Sequence, residues 1–264
     1  GGSSRGRSVP RPKAVYEGAG WAAIEPHTDK GALPLRGNST LRGSALTVAG
    51  GLTGAGKDLT LDFSTPFTLP GGIAGVNNFT SAKAINVNGS FATTGMQTYN
   101  AAVTLTGNSV LTGTALTLSG GLAGAGKDLT LDFSTPFTLP GGITGVNNFT
   151  AAKAINVNGT FATAGTQTYQ NTLTLTGTSN LMGTVVTTQG VTIGGGFALT
   201  VTGNAVFGND PTDTVEGLTS ILESGTQTLY ARHVKITTTQ AYTAQVYLEA
   251  SAIPECTQGP FPVR

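Results

Sequence analysis

Residues 54–73 read GAGKDLTLDFSTPFTLPGGI, and residues 124–143 read the same, letter for letter. Extended backwards, the stretch is GLTGAGKD at 51–58 and GLAGAGKD at 121–128, a G-x-x-x-x-G-K followed by Asp. A phosphate-binding loop needs Ser or Thr after the Lys to hold Mg²⁺, and a helix whose N-terminus faces the phosphate. Here Asp58 and Asp128 add negative charge at that place, and LTLDF alternates apolar and polar residues as a strand does. The glycines are therefore expected to form a corner that demands positive φ. Lys57 is expected to form a solvated pair with Asp58 or Asp62, of little energetic weight.

The identity extends well beyond this stretch. Of the 49 positions 51–99, 43 are identical in 121–169. Lys57 recurs as Lys127, Phe79 as Phe149 and Tyr99 as Tyr169, a 70-residue period. NSTLRGSALTVAGG at 38–51 lines up with NSVLTGTALTLSGG at 108–121, and GTQTY at 165–169 returns as GTQTL at 225–229. Within the repeat the local period is two: Leu59, Leu61 and Phe63 point one way, Asp58, Thr60 and Asp62 the other. AINVNG, VTLTG and ALTLSG behave alike, each run stopped by Gly, Asn or Pro. A repeat made of such strands, with no helical segment between them, is too long for one hairpin and does not make βαβ units.

The expected fold is all-β, a parallel β-solenoid built from 70-residue repeats with irregular capping ends. Each coil exposes apolar residues that only a stacked neighbour can bury, and stacking at about 4.8 Å also pairs the backbone along the axis. Three or four coils per repeat, ten to twelve in all, would make a rod about 50 Å long. An antiparallel sandwich is the alternative, disfavoured because Asn-Gly hairpin turns do not recur at a steady spacing. The expected divisions are an N-terminal arm and cap over 1–37, the repeat array over 38–208, and a short helix plus C-terminal strands and tail over 209–264. The cap is placed at AVYEGAGWAAI, 14–24, around the single Trp. The helix is placed at DPTDTVEGLTSILESG, 210–225, where Val215, Leu218, Ile221 and Leu222 would share one face.

Composition narrows function. Of the 264 residues, 39 are Gly and only 10% are charged, against about 25% in ordinary globular domains. The lone Cys256 leaves no internal disulfide and no site built on several thiolates. No apolar run approaches the ~18–20 residues of a membrane helix. The chain begins GGSSRGRS without an initiator Met, which is expected of a trimmed or excerpted sequence. Net charge is +1, but it is unevenly laid out. Residues 1–42 hold seven basic and three acidic groups, 43–208 four of each, and 209–264 three basic and six acidic. A positive head and a negative tail could attract each other between molecules. The residues singled out for such self-association are Arg5, Arg7, Arg11 and Lys13 at one end and Glu249 and Glu255 at the other. The basic stretch RGRSVPRPK, 5–13, lacks interleaved aromatics and is read as a contact arm, not a nucleic-acid site.

Other motifs read structurally. Asp58 with Asp62, repeated as Asp128 with Asp132, could suggest a polysaccharide-cleaving carboxylate pair or a weak Ca²⁺ site. Duplication with its whole context instead favours an exposed polar ladder. The only histidines, His27 and His233, are remote in sequence from these carboxylates. The Thr-x-Thr pairs Thr104/Thr106 and Thr174/Thr176 are too irregular for an ice-binding array. Asn77, Asn78, Asn86 and Asn88, with their copies Asn147, Asn148, Asn156 and Asn158, are expected at corners with stacked amides. Asn78, Asn88, Asn148 and Asn158 also satisfy N-x-S/T. Phe63, Phe67, Phe79 and Phe91 are expected in the interior.

The stretch ATAGTQTYQNTLTLTGTSNLMGTVVTTQGVTIGGGFALTVTGNAVFG, 162–208, resembles the repeats of filamentous haemagglutinin-like exoproteins and related large surface adhesins of Gram-negative bacteria. GTQTY, the TLTLTG strand and LTVTGNAVFG carry the resemblance, which covers about 38–230. It implies a secreted or surface-exposed right-handed parallel β-helix with roles in adhesion, biofilm or cell contact and no enzyme activity. The chain is much shorter than such proteins and shows no recognisable secretion domain, and no functional residue carries over.

The resulting expectation is an extracellular structural or adhesive protein, without cofactor, metal, nucleic-acid partner or membrane span, that joins itself head to tail into a fibre. Host or matrix glycans or proteins are further candidate partners. The alternatives are a monomeric stalk segment of a larger secreted adhesin and a polysaccharide-acting β-helix enzyme.

Overall fold

The structure, a computed structural model, describes residues 27–29, 33–48, 51–69, 73–139, 141–249 and 253–256. The segment 14–24 and the residues Arg5, Arg7, Arg11 and Lys13 lie outside the described residues. Among the described residues all regular structure is strand, and every strand pairing is parallel, so the chain is a β-solenoid and not a sandwich. Stacked partners stand about 20 residues apart, as Phe79 with Gln97 and Ala205 with Gln227. The rod has about ten coils, or about 48 Å at 4.8 Å per coil.

One coil shows the cross-section. Gln97–Tyr99 lies on a first face; Val103–Gly113 then runs round a corner and serves two more. Its first part, Val103 to Leu105, pairs with Ile85 to Val87, and its second, Ser109 to Thr112, with Gly89 to Ala92; the register shifts between them. At Leu116–Leu118 the chain is back on the first face, beside Gln97–Tyr99. Leu173–Thr188 is nearly a whole coil in one strand, touching all three faces in turn.

Three faces give the repeat a screw. Ser39, Leu59, Phe79, Gln97 and Leu116 are successive rungs of the first face. Leu129, the copy of Leu59 in the next repeat, pairs instead with Ser109 and Phe149 on the third face. Leu199, one period further on, pairs with Ser179 and Ile221 on the second. Each repeat therefore spans about three and two-thirds coils, climbs about 18 Å, and sets identical residues back onto the preceding face.

The interior is one continuous apolar column. In LTLDF the alternate residues Leu59, Leu61 and Phe63 are buried and Thr60 and Asp62 are not, and Leu129, Leu131 and Phe133 repeat this. Bulk is balanced from rung to rung. Phe79 is followed inward by the small Ser81, and the rung above carries Gln97 and Tyr99. Phe79 meets Phe91 at 4.7 Å and Tyr99 at 5.7 Å between ring centroids, separations at which edge-to-face contacts are favourable. Phe67 is half-buried and packs edge-on against Phe63.

The GTQTY motif has a structural reason. Gln97 and Tyr99, two apart on one strand, both face inward and are fully buried. Tyr99 donates its hydroxyl proton to Gln97 Oε1 at 2.9 Å, while Gln97 Nε2 donates to the carbonyls of Phe91 and Thr112 at 3.2 and 2.8 Å. Gln167 and Tyr169 make the same three bonds. Burial pushes both phenols well above the usual tyrosine range.

The region expected to be helical is not. Thr214–Glu223 is a strand. Asp213 Oδ2 accepts the N–H groups of Asn209 and Asp210, and Asp210 Oδ1 accepts both the N–H and the hydroxyl of Thr212, which holds the Asp210 carboxyl below its ordinary range. These bonds close a turn, not a helix start. Val215, Leu218 and Ile221 are all buried, but their three-residue spacing comes from a corner at Gly217, φ 73°, with register shifts on either side. Leu222, which a helix would bury, is 46% exposed, and Glu223 is buried instead. Parallel solenoid pairing thus continues past 208, through the strands within 214–248 and Ile253–Cys256.

Two buried hydroxyls interrupt the apolar column. Thr188 stands between Tyr169 and Phe207, and Thr192 between Leu173 and Val215, where the preceding copy has Leu118 and Leu122. Neither Oγ1 has a hydrogen-bond partner. Thr188→Val, which keeps the shape and removes the stranded hydroxyl, is expected to stabilise the chain by about 1 kcal/mol. A raised urea midpoint at unchanged m-value checks it; a lowered midpoint would mean that the hydroxyl is satisfied.

Candidate functional site

The G-x-x-x-x-G-K loop is a corner. Ala55 and Gly56 have φ of 50° and 73°, and the Lys57 N–H closes the tight turn on the Gly54 carbonyl at 2.9 Å. The N–H groups that would cradle a phosphate are taken: Gly54 donates to Ala74 and Gly56 to Gly75 of the next coil, each at 2.7 Å. A Cβ on Gly54 would sit 2.5 Å from the Val76 backbone, so the glycine is there for close coil approach.

The carboxylates following the lysines are ladder parts. Asp58 Oδ1 accepts three N–H groups, from Asn77 Nδ2, Asn78 N and Asn78 Nδ2 at 2.9 to 3.0 Å, while the Asp58 N–H donates to Asn38 Oδ1. Asp128 does the same with Asn147, Asn148 and Asn108. Asn78 passes the ladder on, its Oδ1 accepting the Met96 N–H. Asp62 pairs with Arg42 one coil below, at 3.4 Å, and Asp132 with Lys153, at 4.0 Å. The pairing expected for Lys57 with Asp62 is thus replaced by pairing across coils, because register sets Arg42 directly beside Asp62. Asn86 and Asn156 also depart from expectation: they lie within strands, bridging Thr68 and Thr138, not at corners. Asn88 and Asn158 do sit at corners, their Oδ1 atoms in the space where a Cβ on Gly107 or Gly177 would be. Among the described residues no group of three His, Cys, Asp or Glu side chains could hold a metal ion, and no helix is long and apolar enough to cross a membrane.

Coiling also creates an array that spacing along the chain conceals. Thr40, Thr60, Thr80, Thr98 and Thr117 stand in register on five successive rungs of the first face, and Thr130, Thr150, Thr168 and Thr187 on four rungs of the third. Each rank is one hydroxyl wide, with an Asn–Asp corner on one side and, on the other, Arg42 and Asp62 on the first face and Asp132 on the third. In the Thr-x-Thr pairs, Thr106 and Thr176 spend their hydroxyls on the Val87 and Val157 carbonyls.

What remains chemically unfinished is the C-terminal end. On the third face the inward ladder runs Tyr169, Thr188, Phe207, Leu229, Leu248. The first four are at most 1% exposed, whereas Leu248 is 54% exposed. Beside it on the outer side Tyr247 is 45% exposed, and Leu222 and Tyr230 are also open. Four of the six large hydrophobics exposed among the described residues thus fall within 222–248. Among the described residues Val246–Leu248 pairs only with Gln227–Leu229. Glu249 is exposed at the end of this strand. Glu255 lies in Ile253–Cys256, in register with Lys235. Of the six residues expected to mediate self-association, these two are placed, both at this end.

Fold and surface together define the class: a three-faced parallel β-solenoid, with polar ladders outside and exposed apolar side chains within 222–248. No family model, curated protein or solved structure matches the chain, so the class rests on geometry.

Proposed function

We propose that the chain is an extracellular structural or adhesive rod that joins end to end into a cell-surface or matrix fibre. The observation that carries this reading is the rung Val246–Leu248, paired along one edge only among the described residues, with Leu248 exposed at a ladder position that is buried in every rung below. An open edge recruits further strands, and a second copy continuing the ladder would cover Leu248. Joining of unlike ends does not close on itself and so grows a filament. The uneven charge of the two ends supports a fixed polarity, as do Glu249 and Glu255 at this one. The resemblance to surface-adhesin repeats agrees with an extracellular setting. The saturated Asp58 and Asp128 carboxylates speak against the polysaccharide-cleaving alternative.

Electron microscopy of the purified chain at low and high salt tests the reading. Filaments at low salt, shortened by high salt and abolished by Leu248→Lys, are the expected result. Only monomers under all conditions would overturn it and leave the stalk-segment reading.

A further inference from the structure

The third copy departs from the first two at one place in the core. Below the buried Gln–Tyr pairs, the first two copies carry an aromatic and a small residue: Phe79 with Ser81, and Phe149 with Ala151. Gln240 and Tyr242, both half-buried, occupy the same place in the third copy, with the Tyr242 hydroxyl donating to Gln240 Oε1. Beneath them stand Ile221 and Glu223. The aromatic has shrunk, and a carboxyl group fills the space.

Glu223 is fully buried, and neither of its oxygens has a hydrogen-bond partner. It stacks on Val201 below and under Tyr242 above. Gln227, the next inward polar residue of the same coil, is 1% exposed, and both its amide atoms are also unpartnered. Of the titratable groups on the strands around it, only Tyr242 faces Glu223; Glu216, Lys235 and Glu249 are exposed, and His233 is half-buried on another face. No strand packed on it brings a cation inward. On the C-terminal side a single full coil, 233–248, and the strand Ile253–Cys256 cover it, while the rest of the rod lies on the other side.

We propose that Glu223 is a proton-operated latch for the coil that covers it: uncharged, it lets residues 233–248 seat on the rung below, and ionised, it unseats them. A buried carboxylate with no donor must gain water or lose its cover. Among the described residues the coil 233–248 has only Ile253–Cys256 paired on its far side, so it is the cover that costs least to lift and the opening is local. Burial pushes the Glu223 carboxyl up to about 8 from an ordinary value of 4.5. The folded state thus holds a proton that the opened state releases. Seating of the coil is at its best below the ordinary carboxylate range, weakens as pH rises toward about 8, and loses nothing further above it. Should the rod join through this coil, the latch would make joining pH-dependent, but the latch itself does not require that reading.

Hydrogen exchange of the full chain, followed by mass spectrometry from pH 6 to 9 and corrected for intrinsic rates, tests it. Protection of 233–248 should fall by up to about tenfold per pH unit between 6 and 8, with that of 167–188 unchanged. Glu223→Gln should remove the dependence, as should Glu223→Ala, which restores the residue of the second copy. A wild-type profile that is flat with pH, a loss spread evenly along the rod, or an equal loss in wild type and in a folded variant would overturn the latch. Filaments that persist while 233–248 loses protection would count against assembly through this end and leave the latch standing.

Discussion

Gly124→Val is expected to cost about 4 kcal/mol or more and to break the rod's cooperative unfolding near its middle. A Cβ at this position would lie 2.6 Å from the Val146 Cα and N of the next coil. Both contacts are backbone, so neither can rotate away, and relief requires pulling two coils apart where their hydrogen bonds are shortest: Gly124 donates to Thr144 at 2.7 Å and Gly126 to Gly145 at 2.7 Å. Losses of this size belong to overpacking and broken networks. Gly126→Ala is the control. Its Cβ would meet nothing within 4 Å, but its φ is +74°, so only the left-handed penalty of about 1–2 kcal/mol applies. Urea unfolding of both variants separates the two causes. Equal effects would mean that close coil approach does not matter at this corner.

Gln167→Leu is expected to cost about 2–4 kcal/mol, because it removes both halves of a buried bridge. The side chain donates from Nε2 to the Phe161 and Met182 carbonyls and accepts the Tyr169 hydroxyl on Oε1. Its loss strands that hydroxyl in an apolar interior, at about 1–3 kcal/mol for the one group. Tyr169→Phe strands only Gln167 Oε1 and should cost less, about 1–2 kcal/mol. The double variant should cost less than the sum of the two by about 1 kcal/mol, since the second change removes a group the first has already orphaned. Strict additivity would contradict a bonded pair.

Much of this fold could be read from the letters, and the reason is stacking. A coil that buries its apolar residues only against its neighbours must repeat its alternation, so LTLDF at 59–63 and 129–133 declared both the strand and its inward face. The corner role of GAGKD followed from the charge of Asp58 and the strand behind it. What could not be read was the phase. Three or four coils per 70-residue period brackets a coil of about 20 residues but not where in a coil each repeat ends, so the Thr40–Thr117 rank, the Arg42–Asp62 pairing and the step of one face per repeat stayed hidden. The corner at Gly217 spaced Val215, Leu218 and Ile221 as a helix would. The one available signal was Glu223, a charge between apolar residues that a helix would have set on its solvent side. Of the end proposed for assembly, Glu249 and Glu255 were marked by charge alone, whereas Tyr247 and Leu248 are exposed where no described rung lies above them.

Three parallel ladders wind on one axis, with about 20 residues between rungs, and everything else depends on that winding. Spin labels on Thr40→Cys and Thr117→Cys, with Cys256 replaced by Ser, test it most directly by double electron–electron resonance. These positions belong to different repeats, yet they stand only four rungs apart on one face. The expected result is a narrow distance distribution centred at about 19 Å, four steps of about 4.8 Å each. A broad distribution, or one centred beyond about 30 Å, would contradict the winding, since four steps of about 4.8 Å cannot reach so far.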